Sequence, residues 1–299
     1  MILAACVRWV NSGEPVIGDF KIVGVMTESI LITGCSSGIG YHCAKRLHET
    51  GYRVVASCRR QEDVDRLRSE GLFCVQLDVT DKNSIHTALE EALKHTGGVI
   101  DVLFNNAGYG QTGAIEDLPT DALREQFETN VFGLHELTRA VIPIMLKQSQ
   151  GKIVQNSSVL GLVAMKYRGA YNASKFALEG YTDTLRLELM DTNISVSLIE
   201  PGPIESKFRS NALQVFNENI DMDSSRHKPS YQSTIDRLSR ATSGNRFTLS
   251  PESVYEKMVK ILSSQKPKPR YYVTQQTYVA GLLKRFVSAR LLDKILMSG

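Results

Sequence analysis

The sequence lacks the residue patterns that identify several common kinds of site. Its five cysteines are odd in number and include no C-x-x-C pair: Cys6, Cys35, Cys43, Cys58 and Cys74. Neither a disulfide framework nor a zinc site is therefore predicted. The six histidines show no spacing typical of metal ligands, and no metal is expected: His42, His48, His86, His95, His135 and His227. Free thiols are typical of a reducing compartment, which predicts a cytoplasmic protein.

The sequence also lacks a large excess of positive or negative charge. The 35 basic and 32 acidic residues leave a net charge of only +3, and no basic stripe alternates with aromatic residues. A nucleic-acid partner is therefore not expected. The apolar fraction of 42% is sufficient for a large core, and α/β chains of this length often fold as one domain.

The N-terminus carries no strong targeting signal. Met1–Val10 is apolar, but it is too short to span a bilayer, and Arg8 is its single basic residue. Asn11–Pro15 then interrupts the run, and Met26 stands just before the first strand-like segment. We predict that residues 1–25 form a loosely attached extension; a poor secretory signal peptide is the alternative.

Short apolar runs alternate with longer segments of helical periodicity along residues 26–273. The runs that resemble strands are Ile30–Ile32, Arg53–Cys58, Phe73–Leu77, Val102–Phe104, Lys152–Val154, Ser195–Ile199 and Tyr271–Val273. Such alternation is typical of βαβ units, whose parallel strands are covered by helices on both faces. Right-handed crossovers then predict a single-domain, doubly wound α/β sheet of the Rossmann type.

Two segments do not follow this alternation of strand-like and helical segments. Residues 205–249 are polar and show no clear periodicity, which is typical of a functional flap or a disordered loop. Residues 274–299 include Lys284, Arg285, Arg290 and Lys294 and carry a wide apolar stripe: Val279, Leu282, Leu283, Phe286, Val287, Leu291, Leu292, Ile295 and Leu296. We predict a C-terminal amphipathic helix that packs on its own domain or closes the substrate pocket. The alternative is a helix that associates weakly with a membrane surface.

A glycine-rich loop over Thr33–Gly40 follows the first strand and opens a helix. Its glycines permit a tight turn and close approach to a pyrophosphate, and the helix N-terminus offers unpaired N–H groups to phosphates. This context predicts a dinucleotide site that includes Gly34, Ser36, Ser37, Gly38, Ile39 and Gly40.

The end of the second strand predicts which nicotinamide cofactor is used. Proteins that bind NAD commonly place Asp or Glu there, whereas this chain has Arg59 and Arg60. A guanidinium suits a 2′-phosphate because its planar fork donates charge-assisted hydrogen bonds. We therefore predict NADP(H), with Ser36 as a further hydroxyl donor; the alternative is that both arginines are solvated surface charges.

Further cofactor contacts are predicted where the next two strands end. Asp78 and Val79 follow the third strand, where a carboxylate can accept a hydrogen bond from an adenine amino group. Asn106, Ala107 and Gly108 follow the fourth, and their small size lets the backbone pass close to a ribose.

Tyr171 and Lys175 are four residues apart, so a helix places their phenol and ammonium on one face. A cation about 5 Å away at an effective dielectric near 20 contributes about 3 kcal/mol. We therefore expect a lowered phenol pKa, close to the pH at which acid–base catalysis is efficient. Ser158 follows the fifth strand and is predicted to act with this pair, although Ser157 is an alternative.

Taken together, these motifs resemble the short-chain dehydrogenase/reductase family. The likeness runs from Ile30 to about Ile204 and includes the TGxxxGxG loop, the NNAG segment, Asn130, the Ser-Ser pair, Y-x-x-x-K and Pro201-Gly202. The loop sequence G-C-S-S-G-I-G and the segment Cys58-Arg59-Arg60 resemble those of the branch that holds retinol, 17β-hydroxysteroid and aldehyde reductases. The C-terminal segment is similar to bacterial NADP-dependent aldehyde reductases.

The resemblance implies a role for each motif residue. Tyr171 would protonate the carbonyl oxygen, Ser158 would hydrogen-bond it, and Lys175 would hold the nicotinamide ribose and lower the phenol pKa. Asn130 would kink its helix and anchor a water in a proton relay. Cofactor contacts are implied for Tyr171, Lys175, Pro201, Gly202 and Ile204.

The sequence thus predicts an NADP(H)-dependent oxidoreductase that moves hydride between nicotinamide and a small-molecule carbonyl or alcohol. The expected substrate is an aldehyde, with a lipophilic ketone, retinoid or steroid-like compound as the alternative. Two alternatives use the same fold: a catalytically silent NADP(H)-sensing regulator and a membrane-surface protein. Family habit favours a homodimer or homotetramer.

Overall fold

The computed structural model describes residues 28–239 and 247–297. The predicted extension over residues 1–25 and part of the predicted flap, residues 240–246, lie outside the described residues.

A seven-stranded parallel sheet forms the centre of the molecule. Its strands are β1 Ser29–Ile32, β2 Arg53–Cys58, β3 Phe73–Gln76, β4 Val102–Asn105, β5 Gly151–Asn156, β6 Ile194–Glu200 and β7 Arg270–Tyr272. The sheet order is β3-β2-β1-β4-β5-β6-β7, and each pairing is parallel. All seven predicted strands are therefore present, and the predicted Rossmann-type fold is confirmed.

Eleven helices are found within the described residues, and they cover both faces of the sheet. They are α1 Gly38–Glu49, α2 Gln61–Ser69, α3 Lys82–Thr96, α4 Thr120–Phe127, α5 Leu134–Gln148, α6 Gly169–Glu188, α7 Phe208–Asn219, α8 Lys228–Ser239, α9 Glu252–Leu262, α10 Gln275–Phe286 and α11 Ala289–Met297. Short 3₁₀ turns span Ile115–Asp117 and Val159–Gly161, and a π-helical turn spans Glu128–Gly133.

The apolar strand runs are continuous because both faces of the sheet are buried. In β1, Ile30 and Ile32 belong to the core beneath α1 and α9, whereas Leu31 belongs to the core beneath α3 and α5. Successive strand side chains point to opposite faces, so a strand with helices on both sides needs apolar residues at every position.

The cysteines within the described residues serve this core. Cys35, Cys43, Cys58 and Cys74 are all buried and free. Cys58 and Cys74 lie on paired strands with their sulfur atoms 3.9 Å apart, well beyond a covalent bond. They pack as small apolar side chains.

The secondary structure of two segments differs from the prediction. The flap contains α7 and α8, which pack together through the buried side chains of Phe216 and Tyr231. The C-terminal segment is two helices rather than one. The chain becomes extended at Val287, and the carbonyl of Ser288 accepts hydrogen bonds from the first turn of α11.

The topology places the candidate site. The chain moves from β3 at one edge back to β4 beside β1, so the connections after β1 and β4 leave the sheet in opposite directions. A crevice forms at such a switch point outside the carboxyl ends of the strands, where doubly wound folds bind ligands.

Candidate active site

The four predicted catalytic residues meet at the carboxyl edge of β4 and β5. Tyr171 and Lys175 lie on α6, Ser158 follows β5, and Asn130 lies in the π-helical turn; all four are buried. The ammonium of Lys175 is 5.6 Å from the centre of the Tyr171 ring. The two side chains therefore share one face of the helix, as their spacing predicted.

The two adjacent serines have different partners. The Ser157 hydroxyl donates a short hydrogen bond to the Glu179 carboxylate, beneath the site. The Ser158 oxygen accepts a hydrogen bond from the amide of Leu160 at 3.1 Å. A hydrogen bond with the Ser158 hydroxyl also lowers the pKa of the Tyr171 phenol. This geometry favours Ser158 over Ser157 as the residue that acts with Tyr171.

Burial dominates the electrostatics of the pair. It raises the pKa of Tyr171 to about 12, and the smaller effects of the Ser158 hydroxyl and the Arg168 charge lower that pKa only in part. Burial also lowers the pKa of Lys175 to about 8, against a smaller raising effect from Glu179. Low dielectric disfavours the charged form of each group, so the lowered phenol pKa expected from the sequence is not found in the protein alone.

Lys175 is held by a chain of hydrogen bonds that crosses three strands. Its Nζ donates to the carbonyl of Asn156 at 2.7 Å, and the Asn156 amide donates to the Asn106 side chain at 2.9 Å. The Asn106 amide donates in turn to the carbonyls of Thr33 and Gly34. These hydrogen bonds link Lys175 to the glycine loop. Asn156 was not predicted, although it ends β5 just before the Ser-Ser pair.

Asn130 ties the π-helical turn to α6. Its Nδ2 donates to the carbonyl of Tyr109 at 3.0 Å and to the Ser174 hydroxyl at 3.1 Å, and its Oδ1 accepts from the amide of Tyr109 at 3.2 Å. Single π turns inside helices occur mainly at functional sites. The structure thus places Asn130 in a π turn, and the predicted kink and the predicted role in anchoring a water stay predictions.

The glycine loop forms a close cradle. Gly34 has a φ of +72°, and a Cβ there would lie 2.8 Å from the backbone of Ala107. A Cβ at Gly40 would lie 2.3 Å from the carbonyl oxygen of Gly34. Ser37 precedes α1 without capping it through its side chain, so the first N–H groups of the helix stay available for an anion.

A cleft of about 590 Å³ opens beside this loop. Its lining includes Ser36, Ser37, Gly38, Arg66 and Lys207, together with two carboxylates, Asp63, which is paired with Arg66, and Glu205. The backbone N–H groups, hydroxyls and cations found there are the groups that bind phosphates. The residues present therefore fit the diphosphate part of a nicotinamide dinucleotide.

The niche that follows β2 is basic. Arg59 is exposed and forms no ion pair within the described residues, whereas Arg60 lies 3.6 Å from Asp63. Arg66 was missed by the sequence analysis; its guanidinium donates to the carbonyl of Ser36 at 2.7 Å. Asp63 is paired with both Arg60 and Arg66, and Arg66 is also paired with Glu70 at 3.0 Å.

The remaining predicted cofactor residues lie around the same crevice. The Asp78 carboxylate accepts hydrogen bonds from the amide and hydroxyl of Thr80, and the Pro201 carbonyl accepts from the amide of Val159 at 2.7 Å. Ile39 lies in the first turn of α1, and the others follow β3, β4 and β6: Val79, Ala107, Gly108, Gly202 and Ile204. Their contacts with a cofactor stay predictions. In residues 28–239 and 247–297, no group of His, Cys, Asp and Glu side chains is arranged to hold a metal.

Two buried acidic residues near Lys175, Glu179 and Glu200, were also missed by the sequence analysis. Glu200 is fully buried on β6, and burial together with the charge of Glu179 raises its pKa well above the usual value. Arg270 lies between them, at 3.1 Å from Glu179, 2.8 Å from Asp183 and 3.2 Å from Glu200. Asp183 also pairs with Arg186 at 2.7 Å, so two guanidinium groups face three carboxylates, and burial favours the protonated form of Glu200.

We expect Glu200→Gln to remove part of the pH dependence of stability. A carboxyl whose pKa is raised on folding stabilises the native state fully at low pH, and this contribution is lost as pH rises through the folded pKa. Between pH 5 and pH 9, the wild type should lose at least about 1.4 kcal/mol more unfolding free energy than the variant, equivalent to one pKa unit. Urea unfolding at both values measures this, with the exposed Glu90→Gln as control; parallel losses in wild type and Glu200→Gln would contradict it.

Comparison with known proteins agrees with this site. Residues 28–215 match the family model described as short chain dehydrogenase. The uncharacterized oxidoreductase YbbO of Escherichia coli strain K12 is 42% identical over 272 residues, which cover 91% of this chain and 95% of that protein. Human retinol dehydrogenase 8 is 40% identical over 196 residues, 62% of each protein.

Solved structures show the same fold with nicotinamide cofactors. A short-chain dehydrogenase/reductase from Burkholderia phymatum in complex with NAD has a TM-score of 0.72 at 26% identity, covering 91% of this chain and 95% of its own. The closed form of serine dehydrogenase complexed with NADP⁺ has a TM-score of 0.70 at 25% identity, covering 83% and 95%. Because residues 28–215 contain both the glycine loop and the Tyr171–Lys175 pair, this chain belongs to the short-chain dehydrogenase/reductase family of oxidoreductases.

Proposed function

We propose that this chain is an NADP(H)-dependent carbonyl reductase whose main substrates are aldehydes. The observation that carries the proposal is the convergence of Ser158, Tyr171 and Lys175 in a buried site that hydrogen bonds connect to the glycine loop. Bound NADPH would supply the hydride.

The chain's own residues supply the other half of the reaction. Hydride addition leaves negative charge on the carbonyl oxygen, and donors placed where that charge develops lower the barrier. The Tyr171 phenol is the proton donor in this proposal, and burial keeps it protonated by raising its pKa to about 12. Ser158 donates a second hydrogen bond to the same oxygen, and the Lys175 ammonium stabilises the phenolate that proton transfer leaves behind.

Arg59 supports the phosphorylated cofactor. It is an exposed guanidinium directly after β2 with no ion pair among the described residues, and no acidic residue occupies positions 58 to 60. A carboxylate at this place would serve the ribose hydroxyls of NAD. The free cation is instead suited to the 2′-phosphate of NADP(H).

The flap supports an apolar substrate. The ring of Phe208, at the start of α7, packs against the Tyr171 ring with centroids 5.3 Å apart. Among relatives, retinol dehydrogenase 8 carries a lipophilic alcohol in its name. We therefore include medium-chain aldehydes, lipophilic ketones and retinoids in the proposed substrate range.

The test is NADPH oxidation against a panel of aldehydes, ketones and retinals. Turnover of at least one carbonyl with NADPH, together with weaker turnover with NADH, is the expected result. A chain that binds NADPH but reduces no member of the panel would be the silent regulator instead. Light scattering in the same preparation would test the proposed homodimer or homotetramer.

A second property is favoured by the surface of the last two helices. Apolar side chains are exposed along α10 and α11, among them Val279, Leu282, Phe286, Leu291 and Met297. A cleft of about 610 Å³ beside α10 is lined by six basic residues and three tyrosines: Lys257, Lys260, Lys266, Lys268, Arg270, Arg285, Tyr271, Tyr272 and Tyr278. Apolar residues flanked by cations suit an anionic lipid surface. The described part of the chain contains no helix long and apolar enough to cross a bilayer.

We therefore propose a cytoplasmic enzyme that associates weakly with anionic membranes. The wild type is expected to sediment with phosphatidylserine vesicles and less with neutral phosphatidylcholine vesicles. Phe286→Asp combined with Leu291→Asp should abolish this sedimentation, because both side chains are exposed on the apolar face. Met190→Asp, which alters an exposed apolar residue after α6, is the matched control. Equal sedimentation of wild type and the double variant would contradict the proposal.

A further inference from the structure

Arg168 is a buried cation that no carboxylate balances. Its residue surface is only 8% exposed, and its Nη1 donates a short hydrogen bond to the neutral hydroxyl of Thr112. No Asp or Glu of the described residues lies within ion-pair distance of it. Arg270, by contrast, is a partly buried arginine that contacts three carboxylates. Arginine is rarely buried without a partner, since burying an unpaired charge is costly.

Arg168 lies beside the catalytic tyrosine. It occupies the position immediately before α6, three residues ahead of Tyr171. Burial, followed by the charge of Arg237, lowers its pKa to about 10, and Tyr171 opposes this shift. The guanidinium is thus close enough for the phenol to act on it.

Two further arginines come from the flap. Arg209 follows Phe208, whose ring packs on Tyr171, and Arg237 lies on α8, whose Tyr231 ring packs 5.5 Å from that of Tyr167. Neither arginine forms an ion pair within residues 28–239 and 247–297. Desolvation and then the charge of Arg209 lower the pKa of Arg237, although the residue as a whole is exposed.

Arg168 therefore lies buried next to Tyr171 without a counter-ion, and Arg209 and Arg237 on the flap helices add unpaired positive charge whose field reaches it. Their mutual repulsion is a cost to the folded protein that a bound anion would remove. A planar guanidinium binds carboxylate and phosphate groups through paired hydrogen bonds.

We propose that Arg168, supported by Arg209 and Arg237, is an anion subsite within the substrate cleft. The preferred substrate is then an aldehyde or ketone that carries a carboxylate or phosphate elsewhere in the molecule. This inference rests on the proposed reductase function and specifies its substrate class. Buried polar groups left unpaired by a neutral analogue make such a site selective.

The competing explanation is structural. Arg168 also holds Thr112, and its backbone forms a bridge with Gly113, so its loss could disturb the loop that precedes α4. A purely structural role would lower the turnover of charged and neutral substrates equally. The ratio between matched substrates therefore separates the two explanations.

The first test compares aldehydes of equal length. The two pairs are 4-oxobutanoate with butanal and 9-oxononanoate with nonanal. In at least one pair, we expect the wild-type kcat/KM for the charged aldehyde to exceed that for the neutral aldehyde by about 10- to 100-fold. This is the contribution of one charge-assisted hydrogen bond. Arg168→Gln and Arg237→Gln should bring that ratio close to one, chiefly through KM for the charged aldehyde. Arg139→Gln, an exposed arginine on α5, should preserve it. Equal or lower wild-type activity on the charged members of both pairs, or parallel losses in Arg168→Gln, would overturn the proposal.

A second test does not depend on turnover. Calorimetry would compare the binding of nonanoate and nonan-1-ol to the NADP⁺-loaded wild type and to Arg168→Gln. Tighter binding of nonanoate by the wild type alone supports the anion subsite, even if none of the aldehydes is reduced and the proposed reductase function fails. Equal binding of the acid and the alcohol by the wild type would overturn it.

Discussion

Replacing Tyr171 with phenylalanine is expected to lower kcat for aldehyde reduction by about 10²- to 10⁴-fold, the usual contribution of a positioned acid. The variant keeps the ring that packs against Phe208 at 5.3 Å and under the Lys175 ammonium at 5.6 Å. It loses only the hydroxyl that we propose donates to the carbonyl oxygen. Steady-state NADPH oxidation measures the loss, and fluorescence titration with NADPH should give a nearly unchanged Kd.

Tyr181→Phe is the matched control for this experiment. Tyr181 lies on the same helix, and its hydroxyl bonds to His135 on the outer face of α5 at 3.2 Å. Removing that hydroxyl leaves the site untouched, so kcat should be preserved. A Tyr171→Phe enzyme with wild-type kcat, or one that no longer binds NADPH, would contradict the role proposed for the phenol.

The strands were predictable because their burial is uniform. A strand covered on both faces needs apolar residues at every position, and Ile30-Leu31-Ile32 shows this directly in the sequence. The predicted bounds of β2 are those observed, and the other strands differ by one or two residues at their ends; β3, for example, ends at Gln76 rather than Leu77. Strand ends depend on hydrogen bonds to the neighbouring strand, which a single sequence does not specify.

The helices of the flap were not predicted, because their apolar faces are narrow. α7 buries Ala212 and Phe216, and α8 buries Tyr231, Thr234 and Leu238. Two of these five side chains are polar or very small, so the helical period is weak. Contact with the segment around Tyr167 stabilises α8, and tertiary contacts of this kind override weak local preference.

Motif residues were predictable, whereas their partners were not. Ser158, Tyr171 and Lys175 stand at recognisable spacings, and the structure brings them together. Asn156 and Glu179 contact the same site through hydrogen bonds whose donors and acceptors are far apart in sequence. The raised pKa of Tyr171 was likewise missed, because it is due mainly to burial, which spacing does not reveal.

Cofactor preference is the second large effect. Arg59→Asp is expected to raise KM for NADPH by about 10- to 100-fold, since one charge-assisted hydrogen bond to the 2′-phosphate is lost. The new carboxylate also repels the phosphate and suits the ribose hydroxyls of NADH, so KM for NADH should fall. The ratio of kcat/KM for the two cofactors, measured with one aldehyde, reports the change.

Arg60→Asp tests whether cofactor preference depends on a specific contact of Arg59 with the 2′-phosphate or only on the positive charge at the end of β2. Arg60 shares the β2 end but already pairs with Asp63 at 3.6 Å, so its replacement should change the ratio less than Arg59→Asp does. Arg124→Asp, on the exposed face of α4, should leave the ratio unchanged. If Arg59→Asp retains the wild-type preference, Arg59 is a solvated surface charge and the 2′-phosphate is bound elsewhere. Ser36 and Arg66 would then be the next residues to test, because both line the cleft beside the glycine loop.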